Sequence, residues 1–469
     1  MKILSYFSPK LPIYLIYMLQ QVEYDPRKFL EWIARFPNLH KVMHRQKLVM
    51  TSKSKLLVAY CYTLAILYVG LNIQAAFNYS LGELAYLLFL PIWVVFMLFI
   101  TVLVAWNLLE KPRRAREIKA AKNIFANHKA VKIAILGSYG KTTLKELLLS
   151  VLGSEKNVAA TPGNKNVLIS QARWAQKLTG KEDVLLAEYG EGQPGDISAM
   201  ADLTQPDLAV ICGLAPNHLD QYKTLDAVGK DLFSVSDFMK KKPVYVNTES
   251  QAVKAYLQKQ HISFNRHGLD GWKISQINSG IEGISFVMSK NRNVIKVASG
   301  LLGRHQIGPL ALCVVIAHNL GLSNKQIEKS IASTLPFEHR MQPRNLSGGW
   351  IIDDTYNGNL EGVLAGLELL KELRAKRKVY VTPGLVDQGE ESHRVHKQIG
   401  KAIAGAHPTK VVLMQNSVTQ FIKKGLDKAG YSGELEIRDD PLDFYTNLDQ
   451  QIAAGDIYLL QNDWTDNYA

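Results

Sequence analysis

The chain has 469 residues, 47% apolar and 21% charged, enough for two or three folded domains and too apolar for a disordered polymer. Its three cysteines, Cys61, Cys212 and Cys313, lie far apart inside apolar runs, which excludes a disulfide scaffold and a cysteine-rich metal site and suits a reducing compartment. The formal net charge of +13 comes from two segments, 1–55 with ten Lys/Arg against three Asp/Glu and 110–132 with eight against two, so a nucleic-acid-binding surface spread over the chain is excluded as well.

From the N-terminus, Pro9 and Pro12 precede an apolar run at 13–19 that is too short to cross a bilayer. Phe29, Trp32, Ile33 and Phe36 then recur at helical spacing among Arg27, Lys28 and Arg35. That pattern suits either an amphipathic helix at a membrane surface or a small helical cap packed on a soluble domain. Two segments follow, 56–73 and 84–109, without a charged residue and each long enough to span as a helix. The link between them, 72–83, holds no Lys or Arg, whereas both outer flanks are basic. The positive-inside rule predicts a two-pass hairpin in the cell membrane with both flanks and the later domains in the cytoplasm. Its basic flanks then meet membrane lipid and not nucleic acid. A cleaved signal peptide does not fit, because 55 residues precede the first long apolar run.

A charged helical linker over 111–130 leads into Val131–Leu136, a β-branched apolar run that reads as a buried strand. Gly137 to Gly140 form a turn and helical spacing begins at Lys141, giving strand, phosphate loop, helix. Backbone N–H groups and the positive end of a helix suit polyphosphate, with Lys141 reaching the β- and γ-phosphates and the Thr142 hydroxyl placed for Mg²⁺. The usual loop has a further glycine where this chain has Ile135. Thr161 to Asn166 is a loop on the phosphate side. Glu188 ends a strand at 184–188, where ligands of α/β sheets collect and a carboxylate can hold a hard cation. Further strands at 208–212, 244–247, 350–355, 378–382, 411–414 and 457–460 alternate with helical patterns, which predicts parallel α/β sheets. The stretch 272–297 breaks that rhythm as a β-meander before a helix beginning near Gln306, and a second α/β unit begins near Arg344. His218 follows a strand end and Lys230 lies twelve residues on; taken singly, each has an ordinary structural or solvated reading.

Taken in order, GSYGKTT (137–143), TPGNKN (161–166), the Glu188 strand end, NHLDQY (217–222), Lys230, GRHQ (303–306), HRM (339–341) and DDTYNGN (353–359) resemble the Mur ligases over about 131–469. These are the ATP-dependent amide ligases that build the peptidoglycan stem peptide. DDTYNGN, with PGLVDQG and SHRVH after it, is most similar to the subgroup that joins D-Ala-D-Ala to the tripeptide. The resemblance implies that ATP is held by Gly137, Ser138, Tyr139, Gly140, Lys141, Thr142 and Thr143, by Arg340 at a domain junction and by Asp354 at the ribose. It implies one Mg²⁺ on Thr142 and Glu188, and a second on His218 and on Lys230, a lysine that many members carbamylate. Asn164 and Asn166 match the substrate-side loop. Lys141, His218, Lys230 and Arg340 are the implied catalytic set. In the implied reaction an acceptor carboxylate attacks the γ-phosphate and an amine then displaces phosphate from the acyl phosphate.

The chain departs from the family in three places. Gln306 and Pro309 stand where relatives carry Asn on the adenine side, and LLQNDWTDNY (459–468) stands where a Lys-Gly-Ser-type segment is usual. Residues 1–110 show no counterpart of the UDP-binding domain, so a UDP-linked and a lipid-linked muramoyl peptide both stay open as acceptors. The expected fold is α/β in five parts: a basic amphipathic segment (1–55), a transmembrane hairpin (56–110), a helical linker (111–130), a P-loop parallel-sheet ATPase domain (131–342) and a Rossmann-like α/β domain (343–469). A folylpolyglutamate or polyamino-acid type of ligase would share the ATP site, and a membrane-anchored scaffold would bind nucleotide without ligating. Lys141, Glu188, His218 and Lys230 together favour the ligase.

Overall fold

The computed structural model describes residues 2–42, 48–163, 165–216, 219–356, 358–386 and 388–462. Contacts divide the chain into two units, Met1–Glu117 and Ile118–Ala469.

In the first unit the short apolar run becomes α1 (Leu11–Gln21), with Pro12 in its first turn, where no backbone donor is needed. Apolar on almost every side, α1 has no face to give to water, and Leu15, Ile16, Met18 and Leu19 are fully buried. Next, α2 (Pro26–Ala34) starts at Asp25, whose carboxylate accepts from the Arg27 and Lys28 N–H groups. The centre of its apolar stripe, Phe29, is buried in one core with α1, Cys61, Val94 and Leu98, with Trp32 and Ile33 half-buried against it and Phe36 exposed. After α3 (Leu39–Val42) come the two long apolar helices, α4 (Ser52–Asn78) and α5 (Leu90–Ala105), joined through a 3-10 stretch at Leu81–Phe89. A π-helical turn, Trp106–Glu110, then leads into α6 (Lys111–Asn127). Both apolar segments are long enough to cross a membrane, and most of their surface is bare. Only 6% of the first and 22% of the second is buried over its most apolar window. Ile66, Leu71 and Phe77 on α4 and Ile92 and Phe96 on α5 are exposed.

The second unit contains two sheets. The first runs through β1 (Val131–Leu136), β2 (Val158–Ala160), β3 (Val184–Glu188), β4 (Leu208–Ile211), β5 (Val244–Asn247), β6 (His261–Asn265), β7 (Gly268–Leu269), β8 (Trp272–Gly280), β9 (Gly283–Lys290) and β10 (Asn293–Ser299). Their spatial order is β10-β9-β8-β7-β6-β5-β4-β1-β3-β2. Pairs from β2 to β6 are parallel and those from β6 to β10 antiparallel, so the expected meander is no insertion apart from the sheet but its continuation. The second sheet comprises β11 (Gln342–Leu346), β12 (Gly349–Asp354), β13 (Arg377–Thr382), β14 (Lys410–Met414), β15 (Glu434–Arg438) and β16 (Asp456–Gln461), in the order β11-β12-β16-β13-β14-β15. Only its first pair is antiparallel.

Leu144, Leu147, Leu148, Val151 and Leu152, at helical spacing on α7 (Lys141–Gly153), bury one face against Ile133 and Ile135 of β1. That packing fixes α7 with its N-terminus at the C-terminal edge of the sheet. Two ion pairs, Arg266 to Glu368 at 2.8 Å and Arg304 to Glu372 at 2.7 Å, tie the first-sheet domain to the helix Leu360–Glu372 of the second. All three cysteines are free and buried.

Candidate nucleotide site

β1 ends in the loop Gly137–Gly140, whose shape demands glycine twice. Gly137 has φ of 140° and a Cβ there would lie 2.9 Å from Gly213 N and O; Gly140 has φ of 77° and leads into α7. The Ser138 N–H donates to the Gly213 carbonyl at 2.8 Å, so this amide is spent on protein and the later amides of the loop remain for phosphate.

The β1–β3 register pairs Ile135 with Glu188 and sets the Glu188 carboxylate beside the head of α7. Thr142 Oγ1 and Asn166 Nδ2 each donate to Glu188 Oε1 at 3.2 Å. The other carboxylate oxygen lies 3.1 Å from Lys145 Nζ yet accepts no hydrogen bond, although Glu188 is 1% exposed. Lys145 has no exposed surface and also donates to the Thr161 and Gly163 carbonyls at 3.0 and 2.6 Å. Lys141 Nζ donates to Glu191 Oε2 at 2.7 Å and to the Gly137 carbonyl. Two lysines thus pair with two carboxylates beside the loop, Lys141 with Glu191 and the buried Lys145 with Glu188.

Beyond them opens a cleft of about 460 Å³. Tyr139, Gly140 and Thr143 form its phosphate-loop wall, and Arg340, Asp354 and Tyr356 line it from the second sheet. The Arg340 guanidinium sits 4.6 Å from the Tyr356 ring centre and donates to Thr143 Oγ1 at 3.3 Å. Asp354 ends β12 and accepts from Gln461 Nε2 at 2.8 Å and from the Met341 N–H at 3.2 Å. Burial is the main cause that pushes its carboxyl up to about 6. Gln306 and Pro309, the adenine-side departures, line the same cleft. The Gln306 amide donates to His305 Nε2 at 3.0 Å, and burial lowers His305 to about 4, which keeps it neutral. Burial likewise raises the Tyr139 phenol.

The structure therefore brings together Gly137, Ser138, Tyr139, Gly140, Lys141, Thr142, Thr143, Glu188 and Asn166 around the loop, with Arg340 and Asp354 across the cleft. Asn164 and His218 lie outside the described residues. Lys230 lies on the protein surface. Its side chain is 73% exposed and paired with Asp226 at 2.6 Å, one turn back on the helix Leu225–Phe233. Inward positions on that helix belong to Val228, Asp231 and Leu232, and Asp231 accepts from the Gly195 N–H and the Tyr222 hydroxyl. His218, the partner of Lys230 in the expected second magnesium pair, lies outside the described residues. For one magnesium the donor chemistry fits: the Thr142 hydroxyl and the Glu188 carboxylate, whose second oxygen takes no hydrogen bond and is balanced by Lys145, are hard oxygen donors for a cation whose remaining positions go to phosphate and water. Among the described residues no group of three His, Cys, Asp or Glu offers an all-protein metal cage.

Lys145 and Glu191 were not anticipated. A signal existed for Lys145, which falls one turn beyond Lys141 on the apolar stripe of α7; for Glu191 there was none.

A family model described as the Mur ligase middle domain matches residues 135–317. Among curated proteins the chain is 27% identical over 278 residues to the UDP-N-acetylmuramoyl-tripeptide--D-alanyl-D-alanine ligase of Borreliella burgdorferi, covering 57% of this chain and 58% of that one. It is 26% identical over 282 residues to the ligase of the same name from Escherichia coli, covering 58% and 62%. The chain therefore spans about three fifths of the length of these relatives. Among solved structures it matches MurF from Acinetobacter baumannii with a TM-score of 0.64 and 20% identity, covering 75% of this chain and 77% of that one. It matches the Thermotoga maritima MurF ligase in complex with ADP with a TM-score of 0.64 and 21% identity, covering 75% and 80%. These likenesses establish a mixed α/β fold with parallel sheets, like that of the Mur ligases.

Proposed function

Starting from a chain that carries a Mur ligase middle domain, we propose that it is an ADP-forming, ATP-dependent amide ligase of peptidoglycan precursor synthesis. It would activate the carboxylate of a muramoyl tripeptide and join it to D-Ala-D-Ala. The observation that carries this is the meeting of Lys141, Thr142 and Glu188 at a phosphate loop that opens into a cleft bounded by Arg340 and Asp354.

In that reading Lys141 and the free amides of the loop hold the β- and γ-phosphates, and Arg340, steadied by Tyr356, meets the triphosphate from the opposite wall. Asp354 accepts from the ribose hydroxyls, and Asn166 fixes Glu188 from the substrate-side loop. Thr142 and Glu188 would hold a magnesium ion, which supplies neutralisation of the charge on the transferring phosphoryl group. The loop and the second-sheet wall then do the rest, aligning acceptor carboxylate and γ-phosphate and, after acyl phosphate forms, the incoming amine.

Full-length protein in detergent, given ATP, Mg²⁺, D-Ala-D-Ala and muramoyl tripeptide, is expected to release ADP and form pentapeptide, read by mass spectrometry. Lys141→Ala should lower turnover by roughly 10²-fold or more, as loss of a charge-stabilising group does. No product, or near-normal turnover in that variant, refutes the assignment.

The low burial of α4 and α5 supports a two-pass membrane hairpin, because the core helix of a soluble protein would be mostly covered. Basic flanks at 1–55 and 110–132 support an orientation with both ends and the ligase domains (131–342 and 343–469) in the cytoplasm and with lipid as a partner. A lipid-linked acceptor follows from that placement, since a tethered enzyme meets a bilayer-bound substrate at high local concentration. Strict preference for the UDP-linked tripeptide in the same assay rules it out.

A further inference from the structure

Glu191 has no part in the ligase reading, and its surroundings give it one. It follows β3 by three residues, its side chain is 2% exposed, and it accepts from Lys141 Nζ at 2.7 Å. Among the described residues no other cation lies within ion-pair distance of it. Glu188 is provided for separately, by Lys145, Thr142 and Asn166. Around the neutral Tyr222 phenol, which feels the charges of Glu191, Asp196 and Asp231, the other acidic groups add only negative charge: Asp231 accepts from the Tyr222 hydroxyl at 2.7 Å, and Asp196 accepts from the Gly192 and Gln193 N–H groups.

An anion buried this deeply is stable only while a cation balances it. A nucleotide polyphosphate brings several negative charges to the same ammonium group. Whether Lys141 turns to the phosphates or is shared, a single positive charge does not balance both Glu191 and the phosphates. A divalent cation arriving with the nucleotide offsets two of the phosphate charges, so that Lys141, with Arg340 on the opposite wall, is no longer the main charge facing both.

We propose that Glu191 makes polyphosphate binding at this loop conditional on a divalent cation, by competing with phosphate for Lys141 when the cation is lacking. The proposal rests on the nucleotide reading above and adds to it a residue that no motif marks. Glu191 is then a positioning and selecting group: it excludes free nucleotide and admits the metal complex.

The test is calorimetric titration of ADP into full-length protein in detergent, with Mg²⁺ and again with EDTA, for the native chain and for Glu191→Gln. Metal-free ADP should bind the variant on the order of 10-fold tighter than the native chain, and the gain in affinity on adding Mg²⁺ should shrink by a similar factor. A merely structural role would weaken binding equally in both buffers. Glu191→Ala, which removes the charge without adding an amide to be satisfied, should move in the same direction, and thermal unfolding checks that both variants are folded. Metal-free affinity equal to or weaker than that of the native chain in both variants overturns the proposal. Failure of the native chain to bind ADP in either buffer overturns the nucleotide reading and this proposal with it.

Discussion

Lys145 holds an ammonium group with no exposed surface between two carbonyl oxygens and the Glu188 carboxylate. Replacing it by Met leaves Glu188 buried beside two neutral donors, a loss of the kind that costs about 3–5 kcal/mol when one partner of a buried pair is removed. Lys145→Met should therefore lower the thermal unfolding midpoint in detergent by several degrees, and Lys145→Met with Glu188→Gln should recover part of it; an unchanged midpoint in the single variant refutes this. Asp354 gives a pH signature. Its folded value of about 6 lies above the unfolded one, so its ionisation is a burden on stability above about pH 6 that is relieved as pH falls towards 4. In the proposed role of Asp354 at a ribose the ionised carboxylate is the stronger acceptor, so ADP affinity should drop as pH falls through 6, and Asp354→Asn should bind more weakly and lose that step. A native profile without that step removes Asp354 from the site. The loop residues and Glu188 were legible because phosphate chemistry needs them at fixed places relative to a strand end. Lys145 and Glu191 were not, because a lone charge on a helix or loop reads the same whether it points inward or out, and only packing against neighbouring elements decides.

At the scale of elements, the long apolar strands were read within a residue or so of their ends, since buried parallel strands are near-continuous β-branched runs. Those missed are short or polar: β2 has three residues, β6 and β15 mix charge or amide with apolar residues, and β11 carries Pro343, which only an edge position tolerates. The crossing of the helices Ser392–Ala406 and Thr419–Lys428 was also invisible in sequence, because it depends on two glycines meeting. Gly400 faces the backbone of the partner helix, where a Cβ would lie 2.8 Å from Gly425 Cα and Leu426 N and run into the Ile422 carbonyl. Gly400→Ala forces the helices apart and should destabilise the second-sheet domain by about 1–3 kcal/mol, despite the better helix propensity of alanine. A raised midpoint on thermal unfolding would show that the crossing has slack.

For the whole molecule, the proposed membrane hairpin makes a topological prediction. A cysteine at Ser80, in the link after α4, should react with a membrane-impermeant maleimide on intact cells, whereas one at Lys119 on α6 should react only after permeabilisation. Equal labelling of both on intact cells would disprove the two-pass arrangement. The native thiols leave this experiment undisturbed. Cys212 and Cys313 are buried in the core of the first-sheet domain and Cys61 in the helical core, and burial pushes the Cys212 thiol up to about 12, far from the thiolate that electrophiles attack. To a spin label, a fluorophore or a cross-linker, the natural protein behaves as though it held no cysteine at all, and any handle placed on it reports from one address.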